Sequence, residues 1–159
     1  MDYQLCASLA TDDAVQLAVY ASTRADELAQ TDWSDSQRLA FVQMQHRAQQ
    51  QHYAAHFPQS TCHLIVVDGE VAGRLWVDPR GQGLHILDIT VLPAWRGRGL
   101  GTRCLRDLAR RASALTIQVE IHNPARRWYE RLGFTPDGQP RGLHQPMVWH
   151  VLATEECPS

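Results

Sequence analysis

The chain has 159 residues, of which 44% are hydrophobic and 20% are charged, and its formal net charge at pH 7 is -2. These values are typical of a folded globular protein and exclude a disordered or fibrous chain. The nearly balanced charge gives no general attraction to nucleic acid or to an anionic membrane, so neither is expected as a partner.

The first part of the chain is predicted to form a short strand followed by two helices. The strand covers residues 3–9, and the first helix covers residues 11–22 and is opened by Thr11 or Asp12. A longer helix is predicted next. Ser34 and Gln37 have the spacing of a capping box and mark its start.

A hairpin and a central strand are predicted next. Asp68-Gly69 is a typical two-residue hairpin turn and lies between strands at residues 62–67 and 70–77. Residues 84–92 are apolar on both faces, as in a central strand, apart from three positions. These positions are His85, Asp88 and Thr90.

The second half of the chain is predicted to contain a crossover. A helix starts near Gly99, and a strand follows at residues 115–121. Asn123 is expected to cap a short helix that Gly133 ends, and a last strand covers residues 146–152. The fold class is therefore α/β (α+β): one mixed sheet in a single domain, antiparallel in its first half, with a strand-helix-strand crossover in its second.

Glycine and arginine are concentrated where the central strand leads into the crossover helix, in Arg96-Gly97-Arg98-Gly99-Leu100-Gly101. The glycines free the backbone so that successive N–H groups can converge on one point. The first turn of the helix adds unpaired N–H groups and the positive end of its dipole. The segment therefore predicts a diphosphate site, and the alternative is a glycine-rich turn with solvated arginines.

A second interpretation of this segment is the dinucleotide fingerprint G-x-G-x-x-G. Gly97 and Gly99 match its first two glycines. Glu120 follows them at about the sequence separation expected for a ribose-binding carboxylate. The third glycine position is Thr102, however, and the crossover comes late, after a hairpin. A dinucleotide-dependent oxidoreductase therefore ranks second.

Two motifs in this order resemble the GNAT superfamily of acetyl-CoA-dependent N-acetyltransferases. The first is R-x-x-G-x-G within residues 87–105, and the second is N-x-A-x-x-W-Y-E-x-L-G-F within residues 121–134. The resemblance covers about residues 60–152, and it implies central strands that splay apart. The helices at about residues 11–58 would then form the acceptor side of a single N-acetyltransferase domain over residues 1–159.

The resemblance implies acetyl-CoA as co-substrate and no metal. The glycine-rich loop would bind the pyrophosphate through backbone amides, and the end of the central strand would pair with the pantetheine arm as an added strand. The residues assigned to acetyl-CoA in this way are Ile89, Thr90, Val91, Arg96, Gly97, Arg98, Gly99, Leu100, Gly101, Thr102, Asn123, Arg126 and Tyr129. Asn123 also suits a helix cap, and Arg126 also suits a solvated helix surface.

The resemblance also implies catalytic residues for attack of the amine on the thioester in a ternary complex. Tyr129 matches a tyrosine that protonates the leaving sulfur, and its alternative role is that of an aromatic core residue. His85 is the first candidate for the base and Asp88 the second, since an amine must lose a proton. His85 could instead face solvent at a strand edge, Asp88 could pair with an arginine, and water could take the proton.

The acceptor is expected to be a primary amine, on a small molecule or a peptide. Glu27, Trp33 and Phe41 lie in the helical region and could hold it, although helix packing explains the aromatic residues equally well. His52 and His56 are one helical turn apart but lack a third ligand at metal-binding spacing. A non-catalytic acyl-CoA sensor and a homodimer both stay open.

The location is expected to be cytoplasmic. The first residues lack the basic start and apolar run of a signal peptide, and no stretch approaches the roughly 18 to 20 apolar residues that cross a bilayer. The four cysteines have no C-x-x-C spacing, which favours reduced thiols.

Overall fold

One mixed sheet runs through the computed structural model, which describes residues 2–8 and 12–151. In chain order the elements are β1 (Gln4–Ala7), α1 (Asp13–Ala29), α2 (Asp35–His56), β2 (Thr61–Val67), β3 (Glu70–Arg80), β4 (Gly83–Val91), a 3-10 turn (Pro93–Trp95), α3 (Leu100–Ala109), β5 (Ala114–Glu120), α4 (Arg126–Leu132), β6 (Thr135–Pro136) and β7 (His144–His150). In this part of the chain the strand order is β1-β2-β3-β4-β5-β7-β6, and the sheet is not closed.

The chain divides into two compact units that are each discontinuous in sequence. The first holds the chain up to Trp76 together with Asp88–Arg98, and the second holds Val77–Leu87 and the chain from Gly99 onward. The division therefore cuts β3 and β4 part-way along, and the single-domain organisation stays a prediction.

Two helices and the first hairpin form most of the first unit. Buried Tyr20, Leu28 and Val42 join α1 to α2, and half-buried Phe41 packs against them. The predicted capping box is confirmed: the Gln37 N–H donates to Ser34 Oγ at 3.2 Å, and the Ser34 N–H donates to Gln37 Oε1 at 2.8 Å. The first helix is longer than its predicted 11–22 range and ends at Ala29, while Thr11 lies outside the described residues.

The predicted hairpin turn is also confirmed. Asp68 and Gly69 have φ values of 51° and 80°, the left-handed conformation that both central residues of a type I′ turn require. Further along β3, Gly73 approaches β4 so closely that a Cβ at this position would meet the carbonyl oxygen of Thr90. Glycine is therefore required where the two strands approach each other.

The second unit contains the crossover. Residues 84–86 of β4 pair in parallel with residues 115–117 of β5, and both strands run on beyond this paired stretch, as splayed central strands do. Antiparallel β7 covers the other edge of β5, and its Met147 is fully buried. The antiparallel first half, the crossover and the mixed sheet of the predicted fold class are thus confirmed.

One local expectation in this unit was wrong, and one short element was not predicted. The last helix begins at Arg126, because Asn123 Oδ1 accepts the Ala125 N–H at 2.9 Å and forms a turn before the helix instead of capping its first residue. The short strand β6 (Thr135–Pro136) was not predicted. Its two residues give no periodic pattern and depend on pairing with β7.

Candidate active site

The junction before α3 has the backbone geometry of an anion site. Gly97 and Gly99 both have φ of 77°, and a Cβ on either would meet no atom within 4 Å. The first intrahelical bond runs from the Arg103 N–H to the Gly99 carbonyl at 3.0 Å. The N–H groups of residues 100–102 therefore have no partner within the helix, and Gly99 has no side chain to cap them. Such a turn can accept a phosphate without rearranging its backbone.

The two arginines of this junction are held by the loop itself. Arg96 donates its Nε–H to the Val91 carbonyl at 2.9 Å, and the Arg98 guanidinium carbon lies 4.8 Å from the centroid of the Trp95 ring. Both arginines are exposed. Their positive charge is therefore fixed near the end of β4 while remaining in contact with water.

The end of β4 presents alternate backbone groups to opposite sides. The Leu92 N–H donates to the Ala72 carbonyl of β3 at 2.7 Å. Since backbone N–H and C=O groups alternate along a strand, those of Thr90 point toward β3, and those of Ile89 and Val91 point away from it. Of the three residues assigned to the pantetheine arm, Ile89 and Val91 thus direct their backbone groups away from β3, and the Val91 carbonyl already accepts the Arg96 Nε–H.

Asp88 belongs to a buried polar network in the first unit. Arg74, whose side chain is 0% exposed, donates its Nε–H to Asp88 Oδ2 at 2.6 Å. Its other nitrogens donate to Gln16 Oε1 of α1 at 3.2 Å and to Gln49 Oε1 of α2 at 2.8 Å. The Thr90 hydroxyl donates to Asp88 as well, at 3.0 and 3.2 Å to its two oxygens. The Asp88 carboxylate therefore balances a fully buried charge.

Tyr53 and Trp76 lie beside this network. Their rings meet edge to face with centroids 4.7 Å apart, and the Trp76 indole N–H donates to Ser60 Oγ at 3.0 Å. Burial, reinforced by the negative charge of Asp88, raises the pKa of Tyr53 to about 12, so the phenol stays protonated at neutral pH. Neither Arg74 nor Tyr53 was identified from the sequence. The available signal was an arginine within the otherwise apolar strand "VAGRLWV".

His85 lies in the second unit and is half-buried there. Its Nδ1 lies 2.8 Å from the hydroxyl oxygen of Thr116, its register partner on β5. Burial lowers the pKa of His85, and the charge of Arg80 lowers it further, against an opposing effect of Asp78. The imidazole is therefore neutral at pH 7. Because side chains alternate along a strand, His85 and Asp88 lie on opposite faces of β4.

Tyr129 is buried in α4, with an exposed fraction of 8%. Its ring centroid lies 4.8 Å from that of Trp128 and 5.7 Å from that of Phe134. Trp128 donates its indole N–H to the Thr102 hydroxyl oxygen at 2.8 Å, which joins α4 to the first turn of α3. Arg126 is half-buried and Asn123 is exposed. The second unit thus brings the tyrosine-bearing helix and the first turn of α3 into contact.

The predicted acceptor residues belong to the first unit. Exposed Trp33 packs edge to face on Phe41, with centroids 5.2 Å apart, and exposed Glu27 pairs with Arg24 at 3.4 Å. A groove of about 250 Å³ lies between α1 and α2. Its lining residues are Ala21, Ala25, Leu28, Ala29, Arg38, Leu39 and Val42. The predicted acceptor residues Glu27, Trp33 and Phe41 are not among these lining residues.

In residues 2–8 and 12–151, no cluster of three or more histidine, cysteine, aspartate or glutamate side chains could hold a metal ion. No helix in the same part of the chain has the length and apolarity needed to span a membrane. Cys6, Cys62 and Cys104 form no disulfide within the described residues, and Cys157 lies outside them.

Comparison with known proteins gives both a family and individual relatives. The family model described as "Acetyltransferase (GNAT) family" matches residues 24–134, which is more than half of the chain. Streptothricin acetyltransferase of Streptomyces lavendulae is 36% identical over 89 residues, covering 51% of this chain and 47% of that protein. The chain therefore matches about half the length of this curated relative.

Two solved structures have a similar fold. The PaiA N-acetyltransferase of Thermoplasma acidophilum, in complex with coenzyme A, matches with a TM-score of 0.68 at 11% identity, over 94% of this chain and 99% of that chain. Nourseothricin acetyltransferase matches with a TM-score of 0.51 at 26% identity, over 60% of this chain and 67% of that chain. With the family model spanning the central strands and the glycine-rich junction, this chain belongs to the acetyltransferase (GNAT) family.

Proposed function

We propose that this protein is an N-acetyltransferase that transfers the acetyl group of acetyl-CoA to a primary amine by direct attack in a ternary complex. The observation that carries the proposal is the junction before α3. There, Gly97 and Gly99 hold a left-handed backbone and the first N–H groups of the helix are uncapped. Membership of the GNAT family supports assigning this anion site to the pyrophosphate of coenzyme A.

The residues that would bind acetyl-CoA come from three segments of the chain. The N–H groups of residues 97–102 would bind the pyrophosphate, with Arg96 and Arg98 adding charge. The outward backbone groups of Ile89 and the N–H of Val91 would pair with the pantetheine amides, since the Val91 carbonyl accepts from Arg96. Asn123 and Arg126, before and at the start of α4, would complete the set.

Tyr129 is proposed as the general acid. Acetyl-CoA supplies a thioester whose carbonyl carbon gains a C–N bond to the amine as its C–S bond breaks and the sulfur leaves with the electron pair. The phenol of Tyr129 would donate a proton to that sulfur. Burial of Tyr129 between Trp128 and Phe134 would fix the orientation of its ring and keep water away from the proton transfer.

The amine must lose a proton before it can attack. A primary amine with a pKa near 10.4 costs about 4 kcal/mol to deprotonate at pH 7.4. His85 is proposed first as the base, because its lowered pKa keeps it in the neutral form that can accept a proton. Asp88 is the second candidate, although its carboxylate already balances Arg74. If His85→Gln and Asp88→Asn both keep the wild-type pH–rate profile, neither is the base and water takes the proton.

The acceptor is proposed to be a small cationic amine bound on the side of α1 and α2. The similarity to streptothricin acetyltransferase supports an antibiotic amine as one such acceptor. The segment from Asp26 to Asp35 supports it too, because acidic side chains there would attract a cation. Trp33, which is 38% exposed, offers an aromatic face next to them, together with Glu27 and Phe41.

Ligand binding followed by turnover tests the proposal. The melting temperature is measured with acetyl-CoA, CoA, NAD or buffer alone, and thiol release is then measured with a panel of amines that includes streptothricin. Acetyl-CoA at one hundred times its dissociation constant should stabilise the protein by about 2.7 kcal/mol, whereas NAD should not stabilise it. Stabilisation by NAD alone, or thiol release no faster with any amine than without one, would contradict the proposal.

The role of Tyr129 has its own test. Tyr129→Phe should lower turnover about tenfold to a thousandfold and leave the dissociation constant of CoA nearly unchanged, because a proton donor acts in the transition state. Tyr20→Phe is the matched control, since it also removes a hydroxyl from a buried tyrosine. Wild-type turnover in a folded Tyr129→Phe variant would exclude this residue as the acid.

A further inference from the structure

The hydrogen bond between Trp128 and Thr102 joins α4 to the first turn of α3. The Trp128 indole Nε1–H lies on the helix that carries Tyr129, and it donates to Thr102 Oγ1 at 2.8 Å. Both side chains are half-buried, and both residues belong to the second unit. Water therefore reaches this contact only in part, and the hydrogen bond keeps a defined geometry.

This contact fixes the direction in which the Thr102 hydroxyl can donate. An indole nitrogen is a donor only, so Oγ1 must be the acceptor in this pair. The hydroxyl keeps one proton of its own, and among residues 2–8 and 12–151 Trp128 is the side chain that hydrogen-bonds to it. Thr102 lies in the turn whose own N–H groups are uncapped. Its hydroxyl proton can therefore be added to those N–H groups as a further donor.

We propose that Trp128 is a positioning residue for acetyl-CoA, which acts by holding the Thr102 hydroxyl as a donor to the pyrophosphate. This inference rests on the proposed function, since it assigns the anion at α3 to coenzyme A. A hydroxyl that accepts one hydrogen bond becomes a stronger donor in another, so the indole both orients and polarises the group. Thr102 contacts the ligand, and Trp128 acts through Thr102.

The indole N–H can be separated from the packing of the ring. The Trp128 ring also lies against Tyr129, with centroids 4.8 Å apart, so removing the whole side chain would disturb two contacts at once. Trp128→Phe keeps an aromatic ring at this position and removes the N–H. Trp149→Phe is the matched control, because this half-buried tryptophan packs on Phe134 in the same unit and has no role in the proposed site.

A double-mutant cycle measured by calorimetry with CoA tests the inference. Trp128→Phe should weaken CoA binding about threefold to tenfold, and Thr102→Val should weaken it at least as much. In the Thr102→Val background, Trp128→Phe should have no further effect, because the hydroxyl through which it acts is gone. Thr102→Ser keeps the hydroxyl and should restore both CoA affinity and its dependence on Trp128. Trp149→Phe should bind CoA as the wild type does.

Each result supports or overturns the inference. A dissociation constant of Trp128→Phe within twofold of the wild-type value overturns it, as does a loss that persists in the Thr102→Val background, since that would show a purely structural role. If Trp128→Phe does not fold, equal CoA affinities of Thr102→Val and Thr102→Ser overturn it. Wild-type protein that does not bind CoA refutes the proposed function itself, whereas CoA binding with unresponsive variants refutes this inference alone.

Discussion

Replacing the buried Arg74 should destabilise the protein far more than replacing an exposed arginine in the same kind of ion pair. Arg74→Met keeps a long apolar side chain on β3 and removes the guanidinium, which donates to Asp88, Gln16 and Gln49. Asp88 then keeps a carboxylate whose exposed fraction is 21% and which has lost its counter-ion. The variant therefore combines an unbalanced charge with two side-chain amides that have lost a donor.

The expected cost follows from this burial. Removing one partner of a buried ion pair typically costs about 3 to 5 kcal/mol, and the partial exposure of Asp88 places the value near the lower end, about 3 kcal/mol. For a chain of this length that corresponds to a fall in melting temperature of about 6 to 12 °C. The control is Arg110→Met, which breaks a 3.1 Å pair with Asp107 in which the exposed fractions are 78% and 30%. Exposed pairs contribute less than about 1 kcal/mol.

Urea unfolding followed by circular dichroism measures both free energies of unfolding. The double variant Arg74→Met/Asp88→Asn should be more stable than Arg74→Met alone, because it removes the unbalanced charge. A loss for Arg74→Met no larger than that for Arg110→Met would refute the reasoning. Equal stabilities of the double variant and Arg74→Met would show that the amide contacts, and not the charge, are responsible.

Two further predictions concern a buried histidine and a glycine. Burial, together with the charge of Arg74, lowers the pKa of His46 below 6.5. As the pH falls, the unfolded chain therefore binds a proton at His46 before the folded protein does. The free energy of unfolding should then decrease below about pH 6.5, by at most about 1.36 kcal/mol per pH unit. His46→Gln should reduce this dependence of stability on pH, whereas substitution of the exposed His52 by Gln should not. An equal pH dependence in the wild type and both variants would contradict the assignment of this effect to His46. Gly73→Ala should cost more than about 3 kcal/mol in urea unfolding, because the new Cβ would meet the Thr90 carbonyl and lie 3.1 Å from Val91 Cα, which are both backbone. The control is Gly81→Ala, since a Cβ at Gly81 would meet no atom within 4 Å. Its φ of 61° should still make this substitution cost about 1 to 2 kcal/mol. A similar loss of stability in both variants would disprove the steric argument.

Much of the fold could be predicted because its signals are local in sequence. The Ser34 capping box, the Asp68-Gly69 turn and the left-handed Gly97 and Gly99 each depend on residues that are close together in the chain. The short strand β6 could not be predicted in this way, since its two residues are ordered by pairing with β7. The start of α4 was misplaced for a related reason: Asn123 satisfies a backbone N–H in either a cap or a preceding turn, and the sequence alone does not separate these outcomes.

The candidate site was predictable to the extent that it is contiguous. The motif around residues 96–102 predicted the glycine-rich junction whose backbone is left-handed at Gly97 and Gly99, because this geometry is carried by contiguous glycines. Arg74 was missed because its partners Gln16, Gln49 and Asp88 lie in three other elements of the chain. Nothing in the local pattern of β3 indicates that a buried arginine will find three acceptors, so such a network becomes visible only after folding.

The alternation of β4 limits the choice of base more sharply than pKa or sequence position does. Asp88 shares its face of the strand with Thr90, and Arg74 links that face to Gln16 of α1 and Gln49 of α2. His85, three positions earlier in a strand of period two, projects from the other face. Asp88 and His85 would therefore deprotonate an amine from opposite faces of the strand. The position of the acceptor and the identity of the base are thus one question, and fixing either answers the other.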